Sequence, residues 1–238
     1  MKPLHIVQLY PKEMNIYGDT GNRIVLEKRL QWRGIPFQSY SVGVGEALPK
    51  KVDIVIGGGG QDAAQSGIEK DLFTKKNDLK LLADSWVAML MVCGMYQLFG
   101  NKFVTSAGLE IEGLGILDVE TLAGNGRLVG NIVVEVPDLG TVVGYENHSG
   151  RTYLGNDVQP FARVISGSGN DDAAELEGAR YKNVIGTYMH GPILSKNPHL
   201  ADMLITLALQ STNRHTTLEP LDDTLENTTR ELASQRLR

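Results

Sequence analysis

The sequence predicts an α/β protein: a mostly parallel β-sheet with helices on both faces and antiparallel strands added in the second half. Three observations predict it. Up to Gly100, short β-branched runs alternate with helix-favouring segments, the pattern of a parallel sheet with crossover helices. Beyond Gly100 the strand-like runs are separated by turn signals instead of helices. The composition, 42% hydrophobic and 21% charged over 238 residues, is that of a globule large enough for a substantial core.

Leu4–Leu9 reads as the first strand, followed by a polar, Gly-rich loop from Met14 to Asn22. Ile24, Leu26, Leu30 and Trp32 are spread through a helical segment that Gly34-Ile35-Pro36 ends. Phe37–Val42 and Asp53–Ile56 are the next strands, the latter running into Gly57-Gly58-Gly59-Gly60. Helical sequence covers about Ala63–Asp84. The apolar run from Trp86 to Val92 is then a buried strand that ends at Cys93. In the second half, Ile116–Leu122, Leu128–Val136 and Thr141–Asn147 read as strands joined by turns such as Gly124-Asn125-Gly126. Phe161–Ile165 and Asn183–Tyr188 follow. Pro198–Gln210 is a helix with Asn197 placed to cap it. No repeat or linker divides the chain. One domain is expected over 1–210, with a polar tail over 211–238 that is helical or partly disordered.

Composition narrows the function. A net charge of -5 without a basic block argues against nucleic-acid binding. A single cysteine excludes an intrachain disulfide and any multi-cysteine metal site, and fits a reducing cytoplasm. The N-terminus lacks the pattern of a signal peptide, and the longest apolar stretch is too short to span a bilayer.

Cys93 is the residue most suggestive of chemistry. A strand, a tight turn and a helix start place its thiol among unpaired backbone N–H groups, which stabilise thiolate. A buried core thiol is the competing reading. His190, in Gly186-Thr187-Tyr188-Met189-His190-Gly191-Pro192, also falls just past a strand. It is either the base that a cysteine nucleophile needs or a packing histidine. The glycine run at 57–60 can hold an oxyanion, hold a phosphate or simply turn. It lacks the Gly-Lys-Ser/Thr of a phosphate loop and the spacing of a dinucleotide fingerprint. The Gly94 N–H, one residue past the thiol, would be a second oxyanion donor.

These residues carry a resemblance. Cys93-Gly94-Met95-Tyr96-Gln97, with the glycine run through Asp62 upstream and Thr187-Tyr188-Met189-His190-Gly191 downstream, resembles the class I glutamine amidotransferases. Tyr145-Glu146-Asn147-His148-Ser149-Gly150-Arg151-Thr152 is similar to a stretch of their cobyric-acid-synthase-like branch. Asn15-Ile16-Tyr17-Gly18-Asp19-Thr20-Gly21-Asn22 and the stand-alone length narrow the resemblance to the glutaminase subunits of lipid II isoglutaminyl synthases. It covers about residues 4–210.

The resemblance implies a flavodoxin-like three-layer α/β/α fold of the class I glutamine amidotransferase type. It implies that Cys93 attacks the side-chain amide of L-glutamine and His190 shuttles the proton. Backbone N–H groups at Gly59 and Gly94 would hold the oxyanion. Gln97, Gly60 and His148 would line the substrate pocket, and Glu146 and Arg151 could shape its rim. Arg127 would clamp the α-carboxylate, a solvated hairpin arginine being the alternative. Many class I glutaminases place a carboxylate two residues after the histidine; here that residue is Pro192. Either the dyad works alone or the acid comes from elsewhere, and a partner subunit is the expected source. The chain shows no ATP-binding lysine motif and no acidic cluster for magnesium, so no cofactor or metal of its own is expected. ATP and magnesium would belong to a Mur-ligase-like partner in a heterodimer acting on lipid II, at the inner face of the membrane. The alternatives are a glutaminase for a cobalamin-type synthase, a silent regulatory scaffold, and a flavodoxin-like cofactor binder with no visible phosphate loop.

Overall fold

The computed structural model describes residues 2–173, 175–212 and 217–236. The first half alternates strand and helix: β1 (Leu4–Leu9), α1 (Thr20–Trp32), β2 (Phe37–Val42), β3 (Ile54–Gly57), α2 (Asp62–Thr74), α3 (Lys76–Asp84), β4 (Ala88–Val92) and α4 (Gly94–Phe99). The second half is strand-rich: β5 (Lys102–Val104), β6 (Glu110–Glu112), β7 (Val119–Val136), β8 (Gly140–Leu154), β9 (Ala162–Ser166), β10 (Leu176–Glu177), β11 (Ala179–Tyr181) and β12 (Val184–Thr187). Helices α5 (Ile193–Lys196), α6 (Pro198–Ser211) and α7 (Thr224–Ser234) follow.

The central sheet has the order β11-β12-β4-β3-β1-β2, parallel except for the edge strand β11. β3 and β4 are buried at every position, because helices cover both faces of a parallel sheet and leave no polar side. From β1 the chain crosses to β2 on one side; from β3 it crosses to β4 on the other. Right-handed crossovers in opposite directions put α1 and the α2–α3 pair on opposite faces. That reversal opens a crevice at the carboxyl ends of β1 and β3, where ligands gather in such sheets.

A second sheet, β10-β9-β7-β5-β6 with β8 also paired to β7, packs beside the first. A two-residue bridge joins them: His190 N–H donates to Tyr145 O at 2.8 Å, and Tyr145 N–H to His190 O at 3.3 Å. No helix among the described residues is long and apolar enough to cross a membrane.

Three details depart from expectation. The helical sequence after the glycine run splits into α2 and α3 at Lys75, whose ammonium lies beside Asp71 and over the Tyr10 ring. Gly124-Asn125-Gly126 is no hairpin turn. The chain continues through it, and both arms of β7 pair with β8, so residues 124–127 bulge opposite Ser149 alone. The reversal comes instead after Val136, where Asp138 takes a positive φ of 62°. Asn197 sits at the start of α6 without capping it. Its amide exchanges hydrogen bonds with Val143 N–H and C=O and donates to Ile193 O, tying the helix to β8.

The tail, within its described residues, forms α7 and is anchored to the body. Arg29, 2% exposed on α1, donates to Asp202 on α6 and to Asp223 before α7, both at 2.6 Å. Burial works against the Arg29 charge, and the two carboxylates override it and raise its pKa. Arg33 adds bonds to Asp202 and to the Glu219 carbonyl. Residues 213–216 and 237–238 of the tail lie outside the described residues.

Candidate active site

Cys93 stands between β4 and α4 with φ 50° and ψ −106°, outside the conformations an L-residue favours. Two bonds hold it there: its N–H donates to Thr187 O at 2.7 Å, and its carbonyl accepts from Gln97 N–H at 3.0 Å. The strained turn aims the side chain out of the sheet edge into a cavity of 640 Å³.

His190 lies behind that cavity, fully buried after β12. Its Nδ1 is 3.3 Å from Asp19 Oδ2 and 3.5 Å from Oδ1. Asp19 is itself fully buried, in the loop between β1 and α1. It heads α1 without capping it. Asn15 Oδ1 accepts the N–H of Thr20, the first residue of the helix, and the Asp19 carboxylate is turned to the imidazole. Burial alone would lower the imidazole pKa, but the adjoining Cys93 sulfur and Asp19 carboxylate push it up to about 10. Nε2 is buried and has no hydrogen-bond partner among the described residues. A carboxylate of this chain thus stands beside His190, where the sequence led to the expectation of an acid from a partner. Pro192, at the position where many class I glutaminases carry the acid, packs on Gly21 beside the Asp19 loop.

The glycine run brings these groups together. A Cβ on Gly59 would lie 2.5 Å from His190 Cε1 and 3.3 Å from both Cys93 Cβ and Asp19 Oδ2. Only glycine leaves room for this approach. The Gly59 N–H, expected to bind an oxyanion, donates instead to Asp19 Oδ2 at 2.7 Å. The next amide along, Gly60 N–H, finds no acceptor among the described residues and lies 3.1 Å from where Gly94 would carry a Cβ. Gly94 N–H is the first of α4 and has no partner within the helix. The pair of amides available beside the sulfur is therefore Gly60 and Gly94.

Of the expected pocket residues, Gly60, Gln97, Arg127 and His148 line the cavity. Gln97 is held from both ends: Gln65 Nε2 donates to its Oε1 at 3.0 Å, and its Nε2 donates to Tyr188 OH at 3.2 Å. His148 stacks on Tyr188 at 3.6 Å, and its Nδ1 meets Gly150 O at 2.8 Å. Burial pushes its pKa down to about 3, so it is neutral and Nε2 is left as a lone-pair acceptor. Arg127 extends from the β7 bulge, its guanidinium held by Asn147 Oδ1 at 2.8 Å and Asn147 O at 2.9 Å. Arg151 does not face the cavity. It pins the bulge from behind through the carbonyls of Asn125, Gly126 and Ser149 and a two-pronged bond to Asp172. Glu146 is buried, accepting from Ser168 and Gly169 N–H. Among the described residues, no group of His, Cys, Asp or Glu is arranged to hold a metal ion.

A model of the CobB/CobQ-like glutamine amidotransferase domain matches residues 5–198. The chain belongs to this family. It is 40% identical over 211 residues to the lipid II isoglutaminyl synthase (glutamine-hydrolyzing) subunit GatD of Staphylococcus aureus, covering 88% of this chain and 86% of the relative. Identity to the Streptococcus pneumoniae subunit of the same name is 40% over 210 residues, 87% of this chain and 81% of the relative. Cobyric acid synthase of Listeria monocytogenes is 32% identical over 148 residues, 59% of this chain and 29% of the relative. Among solved structures, PurLQS from Thermotoga maritima superposes with a TM-score of 0.59 at 17% identity, over 90% of this chain and 99% of that one. This supports the amidotransferase fold expected from the sequence.

Reading the sequence for this family missed Asp19, Tyr17 and Asn147. The signal for Asp19 was an acidic residue at a helix start in the loop after β1, at the same sheet edge as Cys93. The residues just after His190, where such an acid is expected, hold none.

Proposed function

We propose that this chain is the glutaminase subunit of a lipid II isoglutaminyl synthase. The observation that carries the reading is the buried His190 imidazole, held at Nδ1 by the Asp19 carboxylate and adjoining Cys93, behind a cavity that Cys93 and Arg127 line. Cys93 thiolate attacks the side-chain amide carbon of L-glutamine, and Gly60 and Gly94 N–H groups receive the oxyanion. One such donor is typically worth ~3 kcal/mol in the transition state. Imidazolium His190 protonates the departing nitrogen, ammonia leaves, and a glutamyl thioester remains. Neutral His190 then takes a proton from water, which attacks the thioester, releasing glutamate and restoring the thiolate. Arg127 holds the α-carboxylate.

The relatives' names mark them as subunits, and amide synthesis from a carboxylate needs activation. The ammonia therefore passes to an ATP- and magnesium-dependent, Mur-ligase-like partner that amidates the D-glutamate of lipid II at the cytoplasmic face of the membrane. A cobyric-acid-type role has less support, since those relatives match only part of the chain.

The test is ammonia release from L-glutamine, with and without the co-purified partner, for wild type and Cys93→Ala. Wild type should release ammonia and glutamate in equal amounts, and Cys93→Ala none while still binding the partner. Unchanged release by Cys93→Ala would remove Cys93 as the nucleophile.

A further inference from the structure

The loop between β1 and α1 touches the imidazole twice. Asp19 holds Nδ1, and two residues earlier the Tyr17 ring packs against the imidazole, centroids 4.5 Å apart and planes at 55°. Gly18 between them takes a φ of 74°, which turns both side chains toward His190. Ile16 N–H donates to Gly59 O, so the loop is also sewn to the glycine run. Tyr17 lines the cavity, and the buried imidazole packs against its ring.

The Tyr17 hydroxyl is tied across the cavity. Asn147 Nδ2 donates to it at 2.5 Å, and the Asn147 Oδ1 and backbone carbonyl accept the two Arg127 bonds. One continuous chain of contacts thus runs from Arg127 through Asn147 and Tyr17 to His190. Both ends of the Asn147 amide are committed, so its orientation depends on Arg127, and the Tyr17 hydroxyl depends on that orientation.

We propose that Tyr17 is a positioning residue that links occupancy of the Arg127 carboxylate clamp to the setting of the His190 imidazole. This rests on the glutaminase reading and adds a basis for selectivity: a bound α-carboxylate gives the guanidinium that Asn147 holds a further charged anchor and so firms the ring against His190, and an amide without one forgoes that anchor. Such a substrate is then penalised in turnover as well as in binding, because small misplacements at a reacting centre cost large factors in rate.

The test is a double-mutant cycle of Tyr17→Phe and Asn147→Ala in the full chain with its partner. It is read in kcat and KM for L-glutamine and for 4-aminobutanamide, which lacks the α-carboxylate, and separately in the alkylation rate of Cys93 by iodoacetamide across pH. Each single variant should lower kcat/KM for glutamine about tenfold, and the double variant should fall no further than either. The kcat preference for glutamine over 4-aminobutanamide should shrink in both. Multiplying effects, or a kcat preference unchanged in both variants, would overturn the link. If wild type releases no ammonia from glutamine, the glutaminase reading fails; the alkylation cycle then decides whether Tyr17 and Asn147 still act on His190 together.

Discussion

The imidazole of His190 is surrounded by groups that set its charge. Asp19 favours the imidazolium form, and burial opposes it. Replacing Asp19 with Asn removes the favourable charge while keeping the shape, so the pKa of His190 should drop. At working pH a smaller fraction would then be protonated to expel ammonia. Asp19→Asn should lower kcat by about 10²- to 10⁴-fold, in line with the loss of the orienting acid in other triads. The alkaline limb of its rate profile should move to lower pH, as measured by ammonia release across pH. A linked effect follows for stability: the raised pKa means charge on His190 contributes fully below its ordinary value of 6.5 and fades as pH rises through about 10.

At the scale of elements, the β7 bulge and the strand ends do the positioning. Arg151 holds three carbonyls around the bulge that presents Arg127. Arg151→Met should therefore raise KM for glutamine about tenfold while affecting kcat less, because orientation of the clamp is lost and the nucleophile is not. Steady-state kinetics on the purified variant will show which parameter moves. Beneath β12, Glu177 is fully buried and accepts from Tyr188 N–H at 2.7 Å and Thr187 Oγ1 at 3.0 Å, just before His190. Burial foremost, with the nearby Glu146 charge, pushes its pKa up to about 8. Between about pH 4.5 and 8 the unfolded chain then gives up this proton before the folded one, so stability declines with rising pH. Glu177→Gln keeps an acceptor and cannot ionise. Its melting temperature should show a shallower pH slope over that window.

For the whole molecule, two sheets meet where His190 bridges to Tyr145, and the C-terminal segment is fastened to α1 at a buried arginine. Asp223→Asn should loosen the segment and destabilise the fold by about 1.5–3 kcal/mol, the usual worth of a hydrogen bond to a charged group. Denaturant titration will measure the loss, and limited proteolysis should cut residues 217–236 faster. Arg29→Leu should cost more, since it leaves Asp223 without its charged partner and Asp202 with Arg33 alone.

The order of strands and helices, the turn at Cys93 and the place of His190 just past a strand were legible in the sequence because each depends on local pattern. Apolar runs, glycine turns and a cysteine at a strand end act over a few residues. The identity of the orienting acid, the choice of Gly60 over Gly59 as a free donor, and the continuous β7 were decided by tertiary structure. Asp19 and His190 are 171 residues apart in the chain, and the parallel alignment of β1, β3, β4 and β12 brings the loops after β1 and β12 to the same sheet edge. Gly124-Asn125-Gly126 has the composition of a turn, yet pairing of both β7 arms with β8 outweighs that local preference and makes it a bulge.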